Sequence, residues 1–193
     1  IRNCIAFRNG QTSTGVCTAE SDGNGFKLGG GGVGSAHVIT NSMAFSNKKH
    51  GITDNNNPKL AGVSYCTAFD NGTGDSNGAN YQLNRASDGN CKIQNIIGYK
   101  PSGTASDSMI GTISNSIYYN SKKYYHVSSA TTISKDKVGT AINTPSDSIF
   151  KSVSIPAIGY NFHANWRNSD GTINTQNVLA RGSNSYGTMG AQF

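Results

Sequence analysis

Residues 2–9 read RNCIAFRN, and the same unit returns as TNSMAFSN at residues 40–47 and as SYCTAFDN at residues 64–71. Weaker copies read QNIIGY at residues 94–99 and SNSIYY at residues 114–119. The third residue of each copy lies at position 4, 42, 66, 96 or 116, so the spacings are 38, 24, 30 and 20 residues. A short unit that recurs at variable spacing is typical of a solenoid, in which loops of different length join equivalent strands.

A second kind of strand lies between these copies. It reads GFKL at residues 25–28, GITD at residues 51–54 and NYQL at residues 80–83. Side chains alternate across a strand, so the apolar second residue of each is expected to point inward and the third outward. The stacked strands then form an outward row of Lys27, Thr53 and Gln82.

Two or three short strands per repeat predict an all-β fold, the right-handed parallel β-helix, over residues 1–125. Residues 126–193 are expected to form an irregular tail that caps or packs on it. Equivalent asparagines can hydrogen-bond in a ladder along such a stack; here they are Asn3, Asn41, Asn95 and Asn115. A β-sandwich is the competing fold, but it does not explain why the same unit recurs in register.

The composition agrees with a turn-rich all-β protein. The 193 residues include 24 glycines and only 13% charged residues, and the net charge of +6 favours polyanionic partners. The sequence has no basic helix, zinc-finger spacing or RNA-binding aromatic signature, so we do not expect a nucleic-acid partner. No apolar run of membrane-spanning length is present either, and we expect no membrane partner.

The four cysteines are Cys4, Cys17, Cys66 and Cys91, and none forms a CxxC pair that would indicate a zinc site. Cys4 and Cys66 occupy equivalent positions of the repeat, which favours free buried thiols over disulfides. The chain begins inside a repeat unit, so we expect it to be part of a longer protein.

Lys27 is the most suggestive candidate for chemistry. It is a lone cation on an apolar strand, and the glycines at positions 25, 29 and 30 are expected to leave room for a ligand. A lysine that is partly desolvated or close to other cations can act as a base. An ordinary solvated lysine is the alternative interpretation, and spacing alone favours it.

Three further cations are candidates for substrate binding. Lys49 and His50 come just before the GITD strand, and Arg85 follows Gln82 by three residues. An arginine can bind a carboxylate through two hydrogen bonds. The segment DNNNP, residues 54–58, has three asparagines before its proline and is expected to form a structural turn.

The segments GNGFKLGG, residues 23–30, and HGITDNNNP, residues 50–58, resemble polysaccharide lyase family 9. That family comprises pectate lyases and rhamnogalacturonan lyases on a right-handed parallel β-helix. The resemblance implies that Lys27 is the Brønsted base of a β-elimination that cleaves polygalacturonate, an acidic polysaccharide, and that the protein is secreted.

The resemblance also implies calcium as a cofactor, bound by aspartates in coils upstream of the lysine strand. Only Glu20 and Asp22 precede Lys27 as acidic residues, so the ligands are expected before Ile1 and no metal ligand is assigned within this chain. The chain would then be the C-terminal portion of such an enzyme. A rhamnogalacturonan lyase and a non-catalytic β-helix that binds carbohydrate at a surface remain open alternatives.

Overall fold

The computed structural model describes residues 1–85, 91–119, 149–158, 167–172, 174, 179 and 189–192. These residues contain thirteen short β-strands, and every strand pair is parallel. The described residues contain no helix long and apolar enough to cross a membrane. The boundary predicted between residues 125 and 126 lies outside the described residues.

The strands form three sheets, and each of the four complete coils contributes one strand to each sheet. The first sheet has the order β1-β4-β7-β10-β13, with bounds Ile5–Phe7, Met43–Phe45, Thr67–Phe69, Ile97–Tyr99 and Ile117–Tyr119. The second has the order β2-β5-β8-β11, with bounds Phe26–Lys27, Ile52–Thr53, Tyr81–Leu83 and Ser108–Met109. The third has the order β3-β6-β9-β12, with bounds Val38–Thr40, Gly62–Ser64, Lys92–Gln94 and Thr112–Ser114.

The chain visits the first, second and third sheets in turn and then starts the next coil, so the architecture is a parallel β-helix. In the first sheet the paired residues are Ile5, Met43, Thr67, Ile97 and Ile117. Each follows one of the positions 4, 42, 66, 96 and 116 directly. The register predicted from the repeat is therefore confirmed.

A left-handed residue makes each corner between the third sheet and the first. The five corner residues have φ between 43° and 55° and are Asn3, Asn41, Tyr65, Asn95 and Asn115. Asparagine tolerates this conformation better than most residues with a side chain. The ladder is present on both sides of Tyr65, because Asn41 Nδ2 donates to Asn3 Oδ1 at 2.9 Å and Asn115 Nδ2 donates to Asn95 Oδ1.

The interior of the coils explains the alanine of the repeat unit. Ala44 and Ala68 point inward and are fully buried, and Gly98 takes the same place one coil later. These small residues leave space for the ring of Tyr81, whose hydroxyl donates to the carbonyl oxygens of Cys66 at 2.9 Å and Ile97 at 3.1 Å. Burial without such acceptors would cost a phenol about 1–3 kcal/mol.

The outer face of the first sheet carries the aromatic residues of the repeat. Phe7 stacks on Phe45 with 5.3 Å between ring centroids, and Phe69 stacks on Tyr99 at 5.4 Å. Described residues of the tail cover this face, among them Ile149, Phe150, Leu179, Met189 and Ala191. The outward aromatics therefore belong to a second apolar cluster outside the coils.

A second asparagine ladder is buried; it joins the second coil to the third and then continues within the third coil. Asn47 Nδ2 donates to Asn71 Oδ1 at 2.8 Å, and Asn71 Nδ2 donates to Asn80 Oδ1 at 3.0 Å. All three side chains are fully buried. The four cysteines are free thiols, as predicted, with Cys66 and Cys91 buried and Cys4 and Cys17 half-buried.

We expect Tyr65→Asn to stabilise the protein by about 1 kcal/mol, because a left-handed residue other than glycine or asparagine costs about 1–2 kcal/mol. The new amide would also lie between Asn41 and Asn95 and complete the outer ladder. Urea denaturation measures the change in the free energy of unfolding.

Tyr65→Ala is the matched control, since it removes the ring but keeps the strained backbone and adds no amide. A Tyr65→Asn protein no more stable than Tyr65→Ala would show that corner geometry and the ladder do not limit stability.

Candidate functional site

The first coil contains a long loop, residues 8–25, that joins β1 to β2. Part of this loop and the end of β2 line an open groove of about 630 Å³. Its lining residues are Asn9, Gly10, Glu20, Ser21, Asp22, Gly23, Asn24 and Lys27. The groove therefore places the predicted base and the two acids that precede it on one surface.

Lys48 holds this loop against the second coil. Its ammonium group donates to the carbonyl oxygens of Thr18 and Ser21, and it lies 3.4 Å from that of Ala19. Gly23 has a φ of +62°, and a Cβ there would lie 2.6 Å from Asn9 O. The loop next to Asp22 is therefore tightly seated on the coil, and neither contact was visible in the sequence.

Lys27 lies on the outer face of the second sheet, as predicted. Leu28 is buried at 1% exposure and Phe26 packs against the interior cluster, whereas the Lys27 side chain is 46% exposed. The register pairs Lys27 with Thr53 and Thr53 with Gln82, so the predicted row is confirmed. Thr53 is covered by its neighbours and donates to Gln82 Oε1 at 2.7 Å.

Asp22 bridges two lysines at the edge of the groove. Its Oδ2 lies 3.3 Å from Lys27 Nζ, and its Oδ1 lies 3.5 Å from Lys49 Nζ. Lys49 also reaches Asp75 at 3.9 Å, so the four side chains alternate in charge. The hydrogen bond from Lys27 and the charge of Lys49 hold the pKa of Asp22 below its usual value. Two of the predicted site residues, Lys27 and Lys49, are thus brought together around one carboxylate.

His50 is buried, with 8% of its surface exposed, and its Nδ1 has no hydrogen-bond partner among the residues the structure describes. Burial and, as a smaller cause, the charge of Lys49 lower the pKa of the imidazole to about 4, while Asp75 and Asp22 act in the opposite direction. The ring is therefore neutral at physiological pH. Its role in binding substrate stays a prediction.

Arg85 lies apart from the lysine pair. It is exposed and follows β8, two coils along the axis from Lys27, which corresponds to about 10 Å at the spacing of hydrogen-bonded strands. Its backbone N–H donates to Asp54 Oδ2 at 2.7 Å. The structure does not group its side chain with Lys27, and its role also stays a prediction.

The glycines beside Lys27 serve the stacking of the coils. A Cβ on Gly25 would lie 2.4 Å from Gly51 O, and one on Gly29 would lie 2.5 Å from Asp54 O. The space that we expected for a ligand at these two positions is thus filled by the backbone of the second coil. Of the glycines at positions 25, 29 and 30, only Gly30 is exposed.

The asparagine run after β5 forms a structural turn, as expected. Asn55 and Asn56 have φ of 48° and 65°. Asn57 is buried and ties down the glycine-rich loop, because its Nδ2 donates to the carbonyl oxygens of Leu28 at 2.8 Å and Ser35 at 2.7 Å. This run therefore supports the end of the Lys27 strand from the neighbouring coil.

Comparison with known proteins shows what this chain is similar to. Residues 1–95 match the family model described as "Pel9A-like, right handed beta helix region". A pectate lyase L of Paenibacillus polymyxa is 44% identical over 112 residues, which are 58% of this chain and 23% of that protein. A pectate lyase PEL9 of Emericella nidulans is 48% identical over 75 residues, which are 37% of this chain and 18% of that protein.

The solved structure of the pectate lyase Pel9A superposes with a TM-score of 0.51 at 24% sequence identity. The match covers 96% of this chain and 38% of that one, and at this identity it establishes the fold. The resemblance to polysaccharide lyase family 9 and the right-handed parallel β-helix are both confirmed. The chain spans less than a quarter of the length of the curated relatives described above.

We expect the stability of the protein to depend on His50 below neutral pH. The pKa of His50 falls from 6.5 to about 4 on folding, so between these values the unfolded state binds more protons and stability decreases as the pH falls. At a pH of about 4 the free energy of unfolding has decreased by about 3 kcal/mol for this reason. The decrease is absent above pH 6.5, where His50 is neutral in both the folded and the unfolded protein.

Urea denaturation of wild type and His50→Gln at a series of pH values measures this loss. The wild type should lose about 3 kcal/mol more than His50→Gln between pH 7 and 4. His37→Gln, which changes an exposed histidine, should keep the wild-type pH dependence. Parallel curves for wild type and His50→Gln would contradict the assignment of a buried, neutral His50.

Proposed function

We propose that this chain, whose residues 1–95 form a Pel9A-like right-handed β-helix region, is part of a polysaccharide lyase that cleaves polygalacturonate by β-elimination. The observation that carries the proposal is the exposed amine of Lys27 on the outer face of β2, at the edge of an open groove. Relatives named pectate lyases support the choice of reaction and of an acidic polysaccharide as partner.

The proposed reaction is a β-elimination that begins with the removal of a sugar proton by Lys27. Lys27 Nζ, as the neutral amine, takes the proton on C5 of a galacturonate residue. The electrons of the C5–H bond form a C4–C5 double bond. The C4–O glycosidic bond breaks, its electron pair passes to the oxygen of the leaving sugar, and that oxygen takes a proton from water. A positioned base of this kind contributes about 10²–10⁴-fold to the rate.

The other predicted binding residues, two cations and a neutral imidazole, have distinct roles in this proposal. Lys49 is the second cation at the edge of the groove and is suited to a sugar carboxylate next to the reacting one. Arg85, two coils away, suits a carboxylate farther along a chain that lies parallel to the helix axis. The buried ring of His50 is proposed to support substrate binding from beneath Lys49.

Calcium would neutralise the carboxylate next to C5 and so make the C5 proton easier to remove. The described residues contain no group of three histidine, cysteine, aspartate or glutamate side chains that could hold a metal ion. They therefore do not fit a calcium site, and we propose that the ligands lie upstream of Ile1.

The proposed setting is extracellular, where a net charge of +6 would favour association with an anionic polymer. A rhamnogalacturonan lyase is the alternative within the same family. A non-catalytic β-helix that binds carbohydrate is a further alternative, and the lack of a metal-binding group among the described residues favours it for the chain alone.

The test is to incubate the chain with polygalacturonate, with calcium or with a chelator, and to follow the ultraviolet absorbance of the unsaturated product. Lys27→Arg should lower the rate at least about a hundredfold, because arginine keeps the positive charge but cannot act as a base at this pH. Lys59→Arg, at an exposed lysine in the turn after β5, is the matched control.

A Lys27→Arg protein with the wild-type rate would overturn the assignment of Lys27 as base. Faster cleavage of a backbone with alternating rhamnose and galacturonate would favour the rhamnogalacturonan lyase. Folded protein that binds polygalacturonate without forming product would favour the non-catalytic alternative for this chain.

A further inference from the structure

Two lysine ammonium groups converge on a single carboxylate at the edge of the groove. Lys27 Nζ and Lys49 Nζ each lie within 3.5 Å of one of the two oxygens of Asp22. The two lysines come from adjacent coils, and Asp22 comes from the loop that Lys48 fastens. One carboxylate therefore fits between the two cations, and the occupant in this structure belongs to the chain itself.

We propose that Lys27 and Lys49 form a binding site for one sugar carboxylate, and that Asp22 is an internal competitor that an incoming uronate residue must displace. The identity of the anion rests on the proposed function. Asp22 would then set the affinity for anionic substrate, although it makes no contact with bound sugar. It would be a specificity-determining residue rather than a catalytic one.

The exposure of the three side chains makes displacement feasible. The Asp22 side chain is 56% exposed and that of Lys27 46%, whereas that of Lys49 is 31% exposed. Ion pairs open to water contribute little to stability, so an external carboxylate can replace the internal one at little cost. Rotation of the Asp22 side chain toward water is sufficient, because Gly23 and Ser21 hold the backbone on either side.

The neighbouring charges favour a single anion at this place. Lys49 has a second acidic neighbour, because Asp75 lies 3.9 Å from its Nζ. Among the described residues, Lys27 forms an ion pair with Asp22 and with no other side chain. An Nζ engaged by Asp22 is directed at a carboxylate rather than at a sugar proton. Displacement of Asp22 would thus bring a sugar carboxylate to the same ammonium group, and Lys27 acts as the proposed base only after it has released its proton and turned from that carboxylate to C5.

Glu20 provides a matched comparison within the same groove. It lines the groove beside Ser21 and Asp22, and it forms no ion pair among the residues that the structure describes. Glu20→Gln changes the net charge by the same amount as Asp22→Asn, but it frees neither ammonium group. A general effect of charge on polyanion binding would be the same in both variants.

The experiment is calorimetric titration of the chain with trigalacturonate at low ionic strength in the presence of a chelator. Asp22→Asn is expected to bind about three- to fivefold more tightly than wild type, which corresponds to the loss of an exposed ion pair. The gain should shrink as salt is added. Asp22→Ala, which also removes the amide, should show at least the same gain, and Asp22→Asn combined with Lys49→Met should lose it.

Equal affinity of wild type and Asp22→Asn, or a gain of the same size in Glu20→Gln, would overturn the inference. Weaker binding by Asp22→Asn would also overturn it and would mean that Asp22 itself contributes to holding the ligand. Undetectable binding by all variants, with melting curves that show folded protein, would show that the lysine pair is not an anion site.

The fate of the proposed function can be read separately, because binding requires no turnover. If Asp22→Asn binds more tightly but no variant forms unsaturated product, the carboxylate site is supported and the proposed lyase activity of this chain is contradicted. If product forms at a rate that depends on Lys27 but Asp22→Asn binds like wild type, the proposed lyase activity is supported. The role of Asp22 as an internal competitor is then contradicted.

Discussion

The in-register stacking of three-residue and two-residue parallel strands is the constraint on which this structure depends. Each strand hydrogen-bonds only to the equivalent strands of the coils above and below it. A slip by one residue would turn the buried Ala44 and Ala68 outward and bring their large neighbours into the coil. Left-handed corner residues at equivalent positions prevent such a slip, because each fixes where the chain turns from the third sheet into the first.

The candidate site follows from this constraint, because the sheets leave only the connecting loops free to vary. The insertion at residues 8–25 enlarges the first coil and brings Asp22 beside a strand whose register already directs Lys27 outward. The buried ladder of Asn47, Asn71 and Asn80 fixes the coils beneath this loop, and Lys48 fastens the loop itself. The stacked coils thus present exposed charged side chains at their edge.

Features that recur in every coil could be predicted from the sequence, whereas the path of a single long loop could not. The repeat unit predicted the strand register, the outward direction of Lys27 and the free thiols, since each depends on a periodic pattern of burial. The ion pairs of Asp22 depend on how residues 8–25 fold back, and no periodicity records that path. The role of Gly25 was misjudged for a related reason, because only the stacked coils show that Gly51 lies against it. Two members of the buried ladder, Asn47 and Asn71, are the last residues of their repeat units, but only the structure shows that their side chains are buried and that the ladder continues to Asn80.

The central claim is that this β-helix presents a lysine for elimination rather than a site for hydrolysis, and the origin of the oxygen in the products tests it most directly. Polygalacturonate would be digested with the folded chain and calcium in water labelled with heavy oxygen, and the products analysed by mass spectrometry. β-Elimination adds no water across the broken bond, so the account predicts new unsaturated ends without label. Saturated products that carry the label would contradict it.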